Sequence, residues 1–180
     1  HWDGVVPHPG ELLAEDQALL TMIEQGFETV GEELEAVRLR SALGECMRLA
    51  TEVNRYLDQA APWKTIKTDK MLAARAIYTA IRSIDSLKAL FAPFLPFSSE
   101  KLHSCLSYEQ PLFGSQKVIV VQDALGEHRA LTYDPQGAVG EWKPSQLEPG
   151  RPLQPPQPLF RKLDVCIVEE ERSRLGKLSA

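Results

Sequence analysis

The chain has 180 residues, 43% hydrophobic and 25% charged, with a net charge of −5 and a sequence pI near 5.4. That length supports one or two domains with a real core, while the acidic balance counts against a protein that coats nucleic acid regardless of sequence, because such binding needs excess cations. There is no apolar run near the roughly 20 residues of a membrane span and no signal-peptide pattern. Cys46, Cys105 and Cys166 lie far apart without histidine partners, which sets aside a zinc site and points to reduced thiols in a cytoplasmic protein.

The opening HWDGVVPHPGE lacks a methionine and reads as the interior of a longer protein. Residues 1–14, carrying Trp2, Pro7, Pro9 and Gly10, are expected to form an irregular lead-in. Leu19, Ile23, Phe27, Val30, Leu34 and Val37 then recur at helical spacing, predicting a helix from about Glu15 to Val37. Gly26 and Gly31 interrupt it, each costing about 1 kcal/mol against alanine, so this helix depends on packing.

A second helix is predicted from about Arg38. Its stripe is Ala42, Cys46, Leu49, Val53, Leu57 and Ala60, widened by Leu39, Leu43 and Ala50, and Pro62 stops it. The segment from Lys64 to Thr68 reads as a loop, with Thr68 or Asp69 capping a third helix. That helix is apolar nearly all round, through Leu72, Ala76, Ile77, Ala80, Ile81, Ile84, Leu87, Leu90 and Phe91, as expected at the centre of a bundle. Pro93 and Pro96 break it, and FSSEKLHSCL restarts a short helix with Ser98 as its expected cap and Glu100 in its first turn.

From Gln110 the pattern changes. KVIVV and HRALTY predict a hairpin with its turn at Asp123–Gly126. Residues 134–159 hold seven prolines without periodicity, hence extended chain wrapped over the body or free of it. Lys162–Leu175 reads as a short charged helix. The organisation is thus a lead-in (1–14), a helical bundle (15–109), and a segment (110–180) of hairpin, wrap and terminal helix packing on that bundle.

The most informative string is NRYLDQAAPW, Asn54–Trp63. A rigid aromatic at a helix end, followed by Lys64, Lys67 and Lys70, is a platform on which an unstacked base can lie. The plain reading of Trp63 is a side chain packing a helix–loop corner. Arg48 and Arg55, seven apart, share a direction and serve either as phosphate contacts or as surface ion-pair partners. Asn54 and Asp58 sit one turn apart and are otherwise ordinary helix surface. Phosphate-loop, dinucleotide, nucleophile-elbow and HExxH signatures are all missing, so the chain by itself does not read as an enzyme and calls for no cofactor.

ALGECMRLATEVNRYLDQAAPWK, the apolar helix that follows, LFAPFLPFSSEKLHSCL, and the stretch from Leu153 to Asp164 together resemble the anticodon-binding helical domain of methionyl-tRNA synthetase, over essentially the whole chain. The resemblance implies a mainly α fold, a class I synthetase anticodon-binding bundle with a small hairpin and a proline-rich C-terminal wrap. It implies a parent enzyme that activates methionine with ATP, and partners that are the anticodon loop of tRNA(Met) and the parent's own catalytic domain. That domain's HIGH and KMSKS signatures and zinc-bearing insertion do not occur here, so this chain is expected to be inactive alone. By resemblance Trp63 stacks on an anticodon base and Pro62 fixes its backbone; Asn54, Arg55, Asp58 and Lys64, beside them in the sequence, complete the expected site. The family's further Asn and Arg readers have no match in residues 1–20. Two rivals remain: the anticodon domain of another class I synthetase, such as that for cysteine or valine, and a helical protein-interaction module.

Overall fold

Apolar residues at helical spacing generate three helices of 22 residues: α1 (Ala14–Glu35), α2 (Leu39–Ala60) and, after the one-turn α3 (Pro62–Thr65), α4 (Lys70–Phe91). The computed structural model describes residues 1–160 and 162–175. The three long helices pack pairwise, and α5 (Pro96–Cys105) lies against α4. Their shared core is Ile23, Phe27 and Val30 from α1, Cys46, Leu49 and Val53 from α2, and Leu87 and Leu90 from α4. Each large side chain enclosed there contributes about 1.5–3 kcal/mol.

The predicted stripes form this core, with corrections at their ends. Val37 is no part of the stripe. The α1 helix stops at Glu35, and Val37 adopts a left-handed conformation (φ 58°) and is 77% exposed. Its amide donates to Leu34 O and that of Arg38 to Glu33 O, a helix close usually taken by glycine, and it reverses the chain into α2. Leu39 and Leu43, expected to widen the stripe of α2, are exposed because α1 and α4 cover one side of that helix only.

Gly26 and Gly31 have a packing reason. A Cβ on Gly26 would lie 2.4 Å from Leu49 Cδ1, so the missing side chain allows α1 and α2 to approach. Gly31 lies under Trp142, whose indole donates to Phe27 O at 3.0 Å and meets the Phe27 ring edge-on.

Asp69, not Thr68, caps α4, its carboxylate accepting from Leu72 N at 2.9 Å. The expected cap Ser98 lies inside α5 instead: Leu95 is the N-cap and Pro96 the first helical residue, where its missing amide hydrogen costs nothing. Glu100 turns to the next segment, accepting from Leu112 N and Phe113 N.

The proline-rich stretch is extended chain laid over the bundle. Tyr78 of α4 donates to Leu147 O at 3.1 Å, and Gln154 N donates to Cys105 O at 2.9 Å. Residues 150–153 pair with the lead-in: Val5 bridges Pro152, and Val6, fully buried, exchanges backbone hydrogen bonds with Arg151 and Gly150. The main lock is Asp85, whose carboxylate accepts from Lys88 Nζ (2.6 Å), Tyr108 OH (2.8 Å) and Ser145 Oγ (2.5 Å), joining α4, the turn after α5 and the wrap.

Strands β1 (Ser115–Asp123) and β2 (Gly126–Asp134) form the antiparallel hairpin, with Val118 opposite Leu131 and Val120 opposite Arg129. Val118, Val120 and Leu131 on one face and Ile119 on the other are all exposed, so the strands pack chiefly on each other. The terminal helix α6 is shorter than expected, Ile167–Arg174, and buries none of its side chains. Among the described residues no helix is long and apolar enough to cross a membrane, and no cluster of His, Cys, Asp and Glu could hold a metal ion.

Candidate nucleic-acid interface

The end of α2 sets the geometry. Ala61 N closes the helix on Leu57 O at 2.8 Å, and Ala61 itself is left-handed (φ 41°, ψ 56°). The residue before a proline is steered away from right-handed helix, and for alanine the left-handed form costs about 1–2 kcal/mol. Pro62 then opens α3, and the Ala61 carbonyl accepts from Lys64 N and Thr65 N. The expected loop from Lys64 to Thr68 is therefore helical at its start: proline fits the first helical position, and the left-handed kink turns a helix stop into a restart.

This turn sorts the side chains. Pro62 is buried, whereas Trp63 is 54% exposed. The indole is not sealed in a corner; about half of its surface meets solvent while the backbone beneath it is fixed. Lys64, Lys67 and Lys70 are all exposed and form no ion pair among the described residues.

On α2, Asn54, Arg55 and Asp58 are exposed, with Asn54 and Asp58 on one face. Arg55 pairs with Glu52, and Arg48 pairs with Glu45 at 2.6 Å. Solvent-exposed pairs of this kind contribute little, so the arginines can exchange partners, but in the free protein each is locally neutralised. The structure thus joins Pro62, Trp63 and Lys64 on one hydrogen-bonded turn, with Lys67 and Lys70 following it in sequence, and it gives Arg55 an acidic partner.

Sequence reasoning missed Tyr56. Its hydroxyl donates to Asp16 at 2.5 Å and Arg75 pairs with the same carboxylate at 3.2 Å, tying the last turns of α2 to α1 and α4. Burial, and then the bond to Asp16, pushes the Tyr56 phenol well above its ordinary range. The only available signal was a polar aromatic inside an apolar stripe; the partner lies 40 residues away. A cleft of about 1080 Å³ lies elsewhere, between the wrap and the segment joining α4, α5 and Tyr108; Asp85, Lys88 and His103, which line it, are bonded to one another or to Tyr108, Gln110 and Ser145.

A family model described as the anticodon-binding domain of methionyl-tRNA ligase matches residues 6–135. The chain belongs to this family. Among curated relatives it is 48% identical to a methionine–tRNA ligase of Thermomicrobium roseum over 97% of this chain and 30% of the relative, and 48% identical to one of Chloroflexus aggregans over 96% and 29%. The chain therefore spans about 30% of the length of these relatives. The fold matches the free-state crystal structure of Mycobacterium tuberculosis methionyl-tRNA synthetase with a TM-score of 0.67 at 23% identity, covering 90% of this chain and 28% of that one. The helical anticodon-binding fold and the family expected from NRYLDQAAPW are both borne out.

Proposed function

We propose that this chain reads the CAU anticodon of tRNA(Met) on behalf of a cytoplasmic methionine–tRNA ligase, whose catalytic domain uses ATP to activate methionine and transfers it to the tRNA. The observation that carries the reading is a half-exposed tryptophan held on a one-turn helix beside unpaired lysines. The Trp63 ring stacks on an unstacked loop base, contributing about 1–3 kcal/mol. Pro62 holds its backbone, and Lys64, Lys67 and Lys70 draw in the loop phosphates. Asn54 supplies an amide for a base edge, and Arg55 leaves Glu52 for phosphate as the RNA arrives.

The test is titration of a CAU stem-loop against the chain. Trp63→Ala is expected to weaken binding at least tenfold, about 1.4 kcal/mol, with an unchanged circular dichroism spectrum. An unaltered titration curve removes Trp63 from the site. Stem-loops with substituted anticodons separate this reading from a synthetase of other specificity, and absence of binding to any of them at low salt favours a protein-interaction module.

Asp58 has a second role in this reading. An exposed carboxylate one turn from Pro62 repels phosphates of loops that fit poorly, giving up some affinity for discrimination. Asp58→Ala is expected to tighten noncognate stem-loops more than the CAU one; an equal effect on both makes the residue mere helix surface.

A further inference from the structure

Asp16 lies in the first turn of α1 yet is only 2% exposed, whereas its neighbour Glu15 stands in water. A first-turn carboxylate ordinarily serves its own helix from the surface. Asp16 does part of this, its Oδ2 accepting from the N-cap amide of Leu13 at 2.8 Å. Capping needs neither burial nor other elements. Here the same carboxylate also accepts from Tyr56 OH at 2.5 Å and pairs with Arg75 Nε at 3.2 Å, so three elements converge on one charge.

The two distant donors flank the Trp63 turn. Tyr56 belongs to the end of α2 that runs into Ala61, and Arg75 to the start of α4, which Lys70 opens. The α3 turn spans the gap between them and packs on α4. Its entry at Ala61 is a left-handed residue, a conformation that persists only where the surroundings hold it. Fixing both flanks to one buried carboxylate is a way to hold it. Tyr56 cannot act through RNA contact, because its side chain is enclosed in the core.

We propose that Asp16, Tyr56 and Arg75 form a positioning clamp that sets the ends of α2 and α4 against each other and thereby aims Trp63 at the incoming base. The inference rests on the stacking role given to Trp63. The clamp works at a distance: removing one donor leaves the indole and the lysines in place but frees the turn that presents them.

Tyr56→Phe is the sharpest probe, since it keeps the ring and deletes one bond. The 180-residue chain carrying 5-fluorotryptophan is observed by 19F NMR, with the Trp63 resonance assigned by its loss in Trp63→Phe. The CAU stem-loop is titrated against wild type, Tyr56→Phe, Trp63→Ala and the double variant. Tyr56→Phe is expected to shift or broaden the Trp63 resonance while leaving those of Trp2 and Trp142 in place. It is also expected to weaken binding about fivefold, within the range in which coupled residues interact, and to add nothing in the Trp63→Ala background.

An unmoved Trp63 resonance, or the same loss of affinity with and without the Trp63 indole, overturns the clamp. Arg75→Lys, which keeps the charge and loses the guanidinium geometry, is expected to perturb the same resonance and serves if Tyr56→Phe does not fold; an unmoved resonance there overturns the proposal equally. The stacking reading fails separately, if Trp63→Ala binds like wild type. The Trp63 resonance then still decides whether the clamp sets the turn.

Discussion

Removing the Asp85 carboxylate should detach the wrap from the bundle. Asp85 and Lys88 are 4% and 7% exposed, and the carboxylate accepts from Lys88, Tyr108 and Ser145 at 2.5–2.8 Å. In Asp85→Ala the two hydroxyls lose their acceptor, about 1 kcal/mol each. The Lys88 ammonium loses its counter-charge but keeps the bond to His103 Nδ1 at 3.0 Å. Its added cost has a ceiling: shedding the proton at pH 7 takes about 5 kcal/mol from the ordinary value of 10.5, at 1.36 kcal/mol per unit. Burial already holds Lys88 below that value, so the increment is smaller. The total expected loss is about 3–5 kcal/mol, the usual cost of leaving half of a buried pair. Urea unfolding measures it, and limited proteolysis between residues 136 and 156 should accelerate well beyond what the global loss explains. A loss below about 1 kcal/mol with the wrap still protected refutes the lock.

His103 gives a pH dependence. Its Nε2–H donates to Gln110 O at 2.9 Å and Nδ1 accepts from Lys88, so burial first and the Lys88 charge second hold it below the ordinary value of 6.5. The unfolded chain takes up this proton at higher pH than the folded one, so the contribution is whole above about pH 6.5 and is lost as pH falls below it. Urea midpoints at pH 7.5 and 5.5 should therefore differ more in wild type than in His103→Gln, and equal differences refute the assignment. Gly26→Ala should lower the melting temperature. Overpacking against the enclosed Leu49 costs about 1–3 kcal/mol, more than the roughly 1 kcal/mol of helix propensity gained. A rise would show that Leu49 has room to turn.

What was legible in the sequence is what repeats locally. The stripes of α1, α2 and α4 follow from 3.6-residue periodicity, the hairpin from two β-rich stretches around a turn, and the stop at Pro62 from the chemistry of one ring. The half-exposed Trp63 also agrees with its place beside a proline and lysines. What was not legible depends on residues far apart in the chain. Gly26 and Gly31 read as flaws because Leu49 and Trp142, which occupy the space they leave, cannot be inferred from neighbours. The wrap shows no period because it is held by backbone hydrogen bonds, one carboxylate and isolated apolar anchors, Trp142 and Leu147, at no regular spacing. Tyr56 passed unnoticed since only the fold shows the aspartate that receives its hydroxyl.

The bridge between Val5 and Pro152 also bears on how the protein is made. A chain emerging from the ribosome exposes residue 5 long before residue 152 exists, so Val6 waits uncovered while the helices between them are made. The helices, whose contacts are nearer in sequence, can assemble in the meantime, and this last seam can close only after the segment around Pro152 has been made.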